Sequence, residues 1–508
     1  MVKILALGPV TAPGAIRVEG PEEARREALR LAEMGEKVVI AGEGAWRLYH
    51  SIAQEMRMNT KNFYLLEALD PVEAELAGTS WGKLLLSRVA YTARRPAEKA
   101  FSELGSVEKK VTRRALLRGT IVEAAMEYTE KPVEDATLCR NPAIEEYCEH
   151  CLRACSVEGG CPVSAALCGI ELLYLPGYTR SGLHDALRSI APVESDGYAV
   201  IAPRSAIADI IDLVKDKTSH PVVMVPVSCP YGVGLEELLA LHAVGLQPLV
   251  VEAGWEPGIK RCRESRSVYR DMVESDYVKV TGLRLLHGLE ELAGIVREEP
   301  RVIRVRGAQE YLARGLRPLA LAVLRELGIS ADLSTGFSAV PRIDAEKCTI
   351  CGACAYECPT NALKVKEAAS SSVLLFLHDR CIACGYCEKV CPENALSLSP
   401  SVNASLINTW APLVLKESLR CIVCGAPLGS ASMIEKVLEK LIRKGLHPEK
   451  MPQLLMCETC RQKYSLGMIS DEQVDYEALY LVVNRVRRRL GLPPLEPPGK
   501  KPGSLGER

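Results

Sequence analysis

Short apolar runs alternate with charged, amphipathic runs in two stretches of the chain, residues 1–105 and 196–300. The first stretch predicts a strand over residues 2–7, a helix over about 22–34 and a strand over 37–41. The second has four apolar runs: YAVIAP, PVVMVPVS, PLVVEA and YVKVTG. Helices are predicted up to about residue 214 and near 235–244, 259–273 and 285–296. Strands that alternate with helices predict a doubly wound parallel sheet.

The rest of the chain divides into shorter modules. We expect a cysteine-containing domain over 106–195, a helical connector over 301–340, an internal repeat over 341–400, a cysteine-knuckle domain over 410–470, and a helix with a disordered tail over 471–508. The tail is predicted to begin at Gly491, where the composition becomes rich in Pro, Gly and Lys. The predicted fold class is therefore multidomain, α/β plus α+β.

The composition is that of a folded protein, with 48% apolar and 25% charged residues. The net charge is −1, so no overall field points to nucleic acid or to an anionic membrane. No apolar run approaches the length of a membrane span, and the first residues lack the pattern of a signal peptide. We expect a cytoplasmic protein. The stretch 1–105 lacks the glycine fingerprint of a dinucleotide site, and no role is assigned to it.

Twenty cysteines set this chain apart from ordinary globular proteins. Disulfide scaffolds are usually small secreted domains, whereas this chain is long. Most of its cysteines occur in short C-x-x-C units, and Cys229 and Cys262 stand apart from these groups. The pattern indicates metal binding.

The repeat begins at Cys348 (CTICGACAYECPTNAL) and again at Cys381 (CIACGYCEKVCPENAL). Both copies match C-x2-C-x2-C-x3-C-P, in which three cysteines wrap one cubic cluster and the fourth ligates the other. The predicted ligand sets are Cys348, Cys351, Cys354 and Cys391 for one [4Fe–4S] cluster, and Cys381, Cys384, Cys387 and Cys358 for the second. Zinc sites favour paired knuckles over such loops.

Flanking residues fit the same interpretation. Gly352 and Gly385 allow the backbone to fold closely around sulfur, and Asn361 and Asn394 are expected to cap short helices after each Cys-Pro. The segment resembles the two-cluster bacterial ferredoxins over about 60 residues, including all eight ligands. That resemblance implies two [4Fe–4S] clusters and one-electron transfer.

An earlier cysteine group reads C-x8-C-x2-C-x3-C and comprises Cys139, Cys148, Cys151 and Cys155. Its last two spacings match cluster loops, although Ser156 replaces the usual proline. The region resembles a degenerate ferredoxin domain. We predict a third [4Fe–4S] cluster here, with zinc as the alternative.

The segment PVVMVPVSCPYGVGLEELLALHAVG and the following PLVVEAGWEPGIKRCRES resemble the delta subunit of methyl-viologen-reducing hydrogenases, over about residues 197–296. That subunit passes electrons between hydrogenase and heterodisulfide reductase through a [2Fe–2S] cluster. Cys229 and Cys262 fall at cluster positions of that family, but APRSAIAD replaces the cysteine pair expected after the first strand. The resemblance implies a docking platform that has lost its cofactor.

The last four cysteines of the sequence form two C-x-x-C knuckles: Cys421 with Cys424, and Cys457 with Cys460. Paired knuckles are typical of a tetrahedral four-cysteine site in a small zinc-ribbon-like domain. An amphipathic helix is predicted between them, over about residues 432–444. Structural zinc is the expected metal, with a rubredoxin-like iron or a further [4Fe–4S] cluster as alternatives, because thiolates suit all three.

These patterns predict an iron–sulfur electron-transfer protein or subunit with no catalytic side chains. It would relay single electrons between a hydrogenase-, heterodisulfide-reductase- or dehydrogenase-type subunit and a redox partner, without nucleic acid. Two alternatives stay open at this stage. One is an oxidoreductase with a substrate site at the N-terminal cysteine group, and the other is an iron–sulfur redox sensor.

Overall fold

A computed structural model describes residues 2–10, 13–58, 65–93, 180–190, 195–227, 230–253, 270–335, 338–358, 360–368, 370–381, 383 and 385–497. The chain divides into two compact units. The first comprises Met1–Val340, Cys381–Cys384 and Pro400–Ile407, and the second comprises Pro341–Arg380, Gly385–Ser399 and Asn408–Arg508.

The first unit begins with a parallel sheet. Its strands are Val2–Leu7 (β1), Ile16–Val18 (β2), Lys37–Ala41 (β3) and Leu66–Leu69 (β4), in the order β2-β1-β3-β4. Its helices are Pro21–Glu33 (α1), Ala45–Met58 (α2), Pro71–Leu76 (α3) and Trp81–Ala93 (α4). Helix α1 follows directly from its sequence, since Pro21 and two glutamates suit a helix N-terminus and Ala24, Ala28 and Leu31 form one buried face.

A second parallel sheet follows in the same unit. Its strands are Gly197–Pro203 (β5), Val222–Val227 (β6), Leu246–Val251 (β7) and Leu286–His287 (β8), in the order β6-β5-β7-β8. Its helices are Arg180–Ile190 (α5), Ile207–Val214 (α6), Leu235–Ala243 (α7), Ser275–Thr281 (α8) and Leu289–Ile295 (α9). Every residue of these strands is buried, as parallel strands covered on both faces require. The predicted mixed α/β architecture with parallel sheets is confirmed.

One element of this sheet was predicted wrongly. The run YVKVTG was expected to be a strand, but it lies in helix α8, which Gly282 ends in the left-handed conformation at φ 71°. The β-branched residues favour a strand locally, yet Tyr277 and Val280 are buried at a helical spacing, so packing decides the outcome. The helix predicted near residues 259–273 lies mostly outside the described residues, and the next helix is limited to α9.

The two predicted α/β domains share a hydrophobic core. One cluster of buried side chains contains Leu5 and Ile40 from the first sheet together with Val200, Met224 and Leu249 from the second. The N-terminal stretch is therefore packed as part of one body with the second parallel sheet.

The predicted helical connector contains Ala308–Arg314 (α10) and Leu316–Glu326 (α11), followed by the short strand Ser330–Asp332 (β9). Strand Ala339–Ile343 (β10) comes next in the chain. Helix α11 packs against α7 through a buried apolar face that includes Leu319, Ala320 and Val323. It is thus an integral part of the first unit.

The second unit contains an antiparallel sheet in the order β11-β12-β14-β15. Its elements are Ala353–Tyr356 (α12), Leu363–Glu367 (β11), Ser371–Leu377 (β12), Tyr386–Lys389 (α13), Trp410–Arg420 (β14), Pro427–Ser430 (β15), Ala431–Arg443 (α14), Glu458–Ser465 (α15) and Tyr476–Arg489 (α16). Strand Leu396–Asn403 (β13) belongs in part to each unit. The predicted helix near 432–444 is confirmed as α14, which packs through Leu438 onto Leu479 and Val483 of α16.

Part of the predicted disordered tail is placed against α16. Asn484 exchanges two hydrogen bonds with Leu495, at 2.8 and 2.7 Å, and Arg487 donates to the carbonyl of Pro493 at 2.8 Å. Residues 498–508 lie outside the described residues. Within the described parts of the chain, the helices are all too short or too polar to cross a membrane.

Candidate metal centres

The two cysteine repeats share an unusual backbone conformation. Ile350 and Ala383, which occupy the same position in the two repeats, have φ values of 50° and 55°. Asn361 and Asn394, after the two Cys-Pro pairs, have φ values of 52° and 48°. Left-handed residues other than glycine are strained and cluster at functional sites. Each loop is thus strained at equivalent positions, as expected when both surround the same kind of group.

Asn361 and Asn394 do not cap helices as predicted. Each forms a tight turn after the fourth cysteine, with its N–H donating to the carbonyl of Cys358 (3.2 Å) or Cys391 (3.3 Å). A strand follows each turn instead of a helix. Asparagine tolerates the left-handed conformation better than most residues, which explains its place here.

The structure brings Cys391 of the second repeat to Cys348, Cys351 and Cys354 of the first. All four line one cavity. The apolar side chains of Ile343, Leu374 and Leu396 form part of its wall. This is the cross-repeat set predicted for the first [4Fe–4S] cluster, and its four soft thiol donors fit such a group.

Burial in this cavity couples cluster binding to the release of protons. Burial, reinforced by the neighbouring thiolates of Cys348, Cys351 and Cys391, raises the pKa of Cys354 to about 12. Burial likewise raises the pKa of Cys348. The Cys348 and Cys354 thiols are therefore protonated at neutral pH in the absence of a cluster, and cluster binding must release their protons.

Backbone donors point at the fourth cysteine of each repeat. The N–H of Ala362 donates to Cys358 Sγ at 3.2 Å, and the N–H of Ala395 donates to Cys391 Sγ at 3.3 Å. Such bonds orient a thiolate and stabilise its negative charge. The two repeats make the same contact four residues after the cysteine.

The predicted ligands of the second cluster are described one by one. Cys381 and Cys387 are 8% and 9% exposed, and Cys358 is half-buried. By contrast, Cys351 of the first set is exposed. Cys384 lies outside the described residues.

Several other predicted positions also lie outside the described residues. They are Cys139, Cys148, Cys151, Cys155, Cys229 and Cys262. The third cluster stays a prediction.

At the end of β5, the structure places a buried ion pair. The Arg204 guanidinium lies 3.2 Å from the Glu67 carboxylate of β4, and their side chains are 1% and 0% exposed. The pair joins the two parallel sheets at this point. Sequence reasoning missed it, because only the fold brings Glu67 to this edge.

Four cysteines of the second unit form the most compact site. The sulfur atoms of Cys421, Cys424, Cys457 and Cys460 all lie within 4.8 Å of one another, and those of Cys424 and Cys457 are 3.7 Å apart. Zn–S bonds of about 2.3 Å in a tetrahedron place sulfur atoms about 3.8 Å apart. In a cubic cluster each thiolate binds a different iron, which requires wider spacing. The geometry fits one ion.

Strand β14, the turn after it and helix α15 position these ligands. Cys421 follows the last residue of β14, Gly425 closes the knuckle at φ 73°, and Cys457 is the N-cap of α15. The N–H of Cys457 donates to Cys421 Sγ at 3.3 Å. Although burial opposes ionisation, backbone N–H groups of Cys424, Cys457 and Val423 lower the pKa of Cys421 to about 7. By contrast, burial and the neighbouring thiols raise the pKa of Cys460 to about 12, so metal binding at this site must displace at least that proton.

Comparison with known families identifies the repeat region. Residues 341–398 match a family model described as a 4Fe-4S dicluster domain. The ferredoxin-type region is confirmed. A second model with the same description matches residues 380–427. Comparison with the curated proteins gives no match to this chain.

The second match overlaps the first and does not add a complete third repeat. Both include the cysteine loop that begins at Cys381. The extension reaches CIVCGAP, which starts at Cys421 and has Pro427 where a third cysteine would stand. The knuckle thus resembles only the first half of a ferredoxin loop.

Proposed function

We propose that the chain is an electron-transfer protein or subunit that relays single electrons between an anaerobic oxidoreductase and a redox partner. The observation that carries this is the convergence of Cys348, Cys351, Cys354 and Cys391 on one cavity of the dicluster domain. Four cysteines supply all the ligands of a cubic cluster, so no iron position is left open for a substrate. Electron exchange is the chemistry that such a centre performs.

The residues of the chain hold and insulate this centre. A [4Fe–4S] cluster, when bound, accepts or donates one electron at a time. Ala395 orients the Cys391 thiolate through its N–H group, and Ile343, Leu374 and Leu396 exclude water from part of the cavity. The exposed side of Cys351 is the natural place for a partner's redox centre to approach.

The proposed partner is a hydrogenase-, heterodisulfide-reductase- or dehydrogenase-type subunit. Its support is the resemblance of residues 197–296 to a hydrogenase delta subunit. The buried Arg204–Glu67 pair occupies the edge where that family has a cysteine pair, which favours docking without a [2Fe–2S] cluster. Because this segment shares its core with the first sheet, deleting it would remove part of that core. Cross-linking of the whole chain under anoxic conditions is therefore the better test.

We also propose that the four-cysteine site holds structural zinc. The 3.7 Å separation of Cys424 and Cys457 sulfur atoms supports a single tetrahedral ion. Metal analysis should find one zinc per chain, and cobalt substitution should give the absorption of a tetrahedral thiolate site. A rubredoxin-type iron spectrum from this site would overturn the assignment.

Anaerobic reconstitution tests the relay. Two clusters require about eight iron atoms per chain, and a third cluster on Cys139, Cys148, Cys151 and Cys155 would raise this to about twelve. Dithionite should reduce the clusters, as monitored by EPR, without turnover of a disulfide, quinone or nicotinamide by the chain alone. Steady turnover of one of these substrates would instead favour the alternative that the chain is an enzyme. An iron content far below about eight atoms per chain would contradict the dicluster function.

A further inference from the structure

A carboxylate lines the otherwise apolar cavity of the dicluster domain. Among the described residues that line this cavity, Glu393 is the only one besides the cysteines whose side chain can carry a charge. It stands two residues after the ligand Cys391, and its side chain is 21% exposed. Apolar side chains such as Ile343 and Leu374 form the neighbouring wall. A negative charge therefore lies beside any cluster that the four cysteines bind.

Helix α14 supplies the countercharge. Lys436 of this helix donates from Nζ to the Glu393 carboxylate, and the lysine side chain is 45% exposed. The N-cap of the same helix, Ser430, donates its hydroxyl proton to the carbonyl of Thr349, another residue of the cavity wall. Two contacts thus hold α14 against this wall. The carboxylate faces the cavity, and the ammonium group stands behind it on the solvent side.

Such an ion pair affects a cluster more than it affects the fold. Pairs in which one partner is half-exposed add little to stability, because water screens them and the long side chain loses freedom. Reduction, however, adds a negative charge to a cluster, and a fixed carboxylate nearby disfavours the reduced form, more strongly where water is excluded. The ammonium group offsets only part of this effect, since it lies further from the cavity and closer to solvent.

We propose that Glu393 lowers the reduction potential of the cavity cluster and that Lys436 limits this effect. The cavity cluster is the one predicted on Cys348, Cys351, Cys354 and Cys391. Neither residue is a ligand: Glu393 acts through its charge at the wall, and Lys436 is a positioning residue that acts through Glu393. The proposal rests on the relay function above. It gives the helix between the two knuckles a second role, which is to set the potential at which the relay works.

The test is an EPR-monitored redox titration of the reconstituted full chain. The signal that Cys391→Ser removes identifies the cavity cluster. Glu393→Gln removes the negative charge with little change in shape, so this potential should rise, by about tenfold in the reduction equilibrium or about 59 mV for a one-electron couple. Lys436→Gln removes the countercharge and keeps the carboxylate. The same potential should then fall, by about threefold in the equilibrium or about 28 mV.

Two further variants separate the effect of this pair from a general change in charge. Lys436→Arg keeps the positive charge, so the potential should stay close to the wild-type value. Lys444→Gln removes an exposed lysine at the C-cap of the same helix, about 12 Å further along its axis. That distance exceeds the screening length of about 8 Å at physiological salt, so the potential should not change. Because Glu393→Gln and Lys436→Gln shift the potential in opposite directions, a loosened fold cannot imitate the result.

The outcomes distinguish this inference from the function on which it rests. A wild-type chain that assembles no cavity cluster would contradict the relay itself. A cavity cluster whose potential does not respond to Glu393→Gln and Lys436→Gln, or responds with the opposite signs, would overturn the role of this pair alone. Should Glu393→Gln fail to assemble the cluster, Lys436→Gln decides: a lowered potential supports the proposal, and an unchanged or raised one overturns it.

Discussion

Two four-cysteine sites of the second unit use the same ligand atoms in different geometries. Cys348, Cys351, Cys354 and Cys391 line a cavity but, within the described residues, do not form a group whose donor atoms are close enough to hold one metal ion. In the knuckle site all four sulfur atoms lie within 4.8 Å of one another. Thiolates suit zinc and iron alike, so ligand chemistry does not separate the two sites. The two sites differ because the backbone sets the distances between their sulfur atoms.

The loops show how the backbone does this. Both contain C-x-x-C-G, and the glycine after the second cysteine is left-handed in each, with φ 79° at Gly352 and 73° at Gly425. They differ one residue before that cysteine. Ile350 is left-handed at φ 50°, whereas Val423 does not have a positive φ. The additional left-handed residue turns the ferredoxin loop around a larger group.

Removing the knuckle should have the largest effect. Cys421→Ser combined with Cys424→Ser should abolish metal binding and unfold the segment around α14 and α15, because structural zinc contributes about 10–16 kcal/mol in small domains. Limited proteolysis and zinc analysis would measure this, with Lys463→Gln on exposed α15 as the control. The EPR spectra of the clusters should survive. Loss of those spectra would show that the two sites are not independent.

Breaking the cavity set should remove one cluster. Cys391→Ser should damage the cluster held by Cys348, Cys351 and Cys354, since Cys391 lines the same cavity. Cys358→Ser should damage the other cluster and spare this one. Iron content and EPR of the two variants provide matched controls. The reverse pattern would contradict the cross-repeat pairing.

The sequence predicted ligand identities better than it predicted geometry. The C-x2-C-x2-C-x3-C-P spacing assigned Cys391 to the first set because that spacing reflects a chemical requirement. It did not predict the 3.7 Å separation of Cys424 and Cys457, which depends on how α15 packs behind β14. Nor did it predict the contact of Lys436 with Glu393, since these residues meet only in the folded chain.

For the fold, too, the sequence predicted some features correctly and missed others. The fully apolar runs of β5 and β6 identified parallel strands, because strands buried on both faces need such runs. The run YVKVTG was wrongly predicted as a strand because its six residues suit either a strand or a helix, and packing selected the helix. The shared core of the two parallel sheets was also missed, since local patterns do not report which sheets pack together.

The Ser430 hydroxyl connects the ferredoxin loop to the domain that carries the knuckle. Ser430 is fully buried and is the N-cap of α14, accepting from the N–H of Met433 at 3.2 Å. The Ser430 hydroxyl donates to the carbonyl of Thr349, which lies in the chain between the cavity ligands Cys348 and Cys351. Ser430→Ala should cost about 2 kcal/mol, from the lost cap and the unsatisfied carbonyl. Chelator-induced cluster loss should accelerate, while Ser432→Ala, which removes only the hydroxyl 3.0 Å from that of Ser430, should have a smaller effect.

The smallest effects should come from the two equivalent glycines. A methyl group added at Gly425 meets no atom within 4 Å, and one added at Gly352 meets only Val365 Cγ2, at 3.8 Å. Neither substitution by alanine therefore creates a clash, and each should cost only the left-handed strain, about 1 kcal/mol. Gly352→Ala should hasten cluster loss and Gly425→Ala should hasten zinc release, each by a factor of about five at most. Asparagine at either position should do less harm, because it tolerates this conformation. Suppose instead that Gly352→Ala abolished cluster binding while Gly425→Ala had little effect. The two loops would then differ in more than the conformation of the residue before the second cysteine. The additional constraint would be a close approach of the backbone at Gly352 to the cluster.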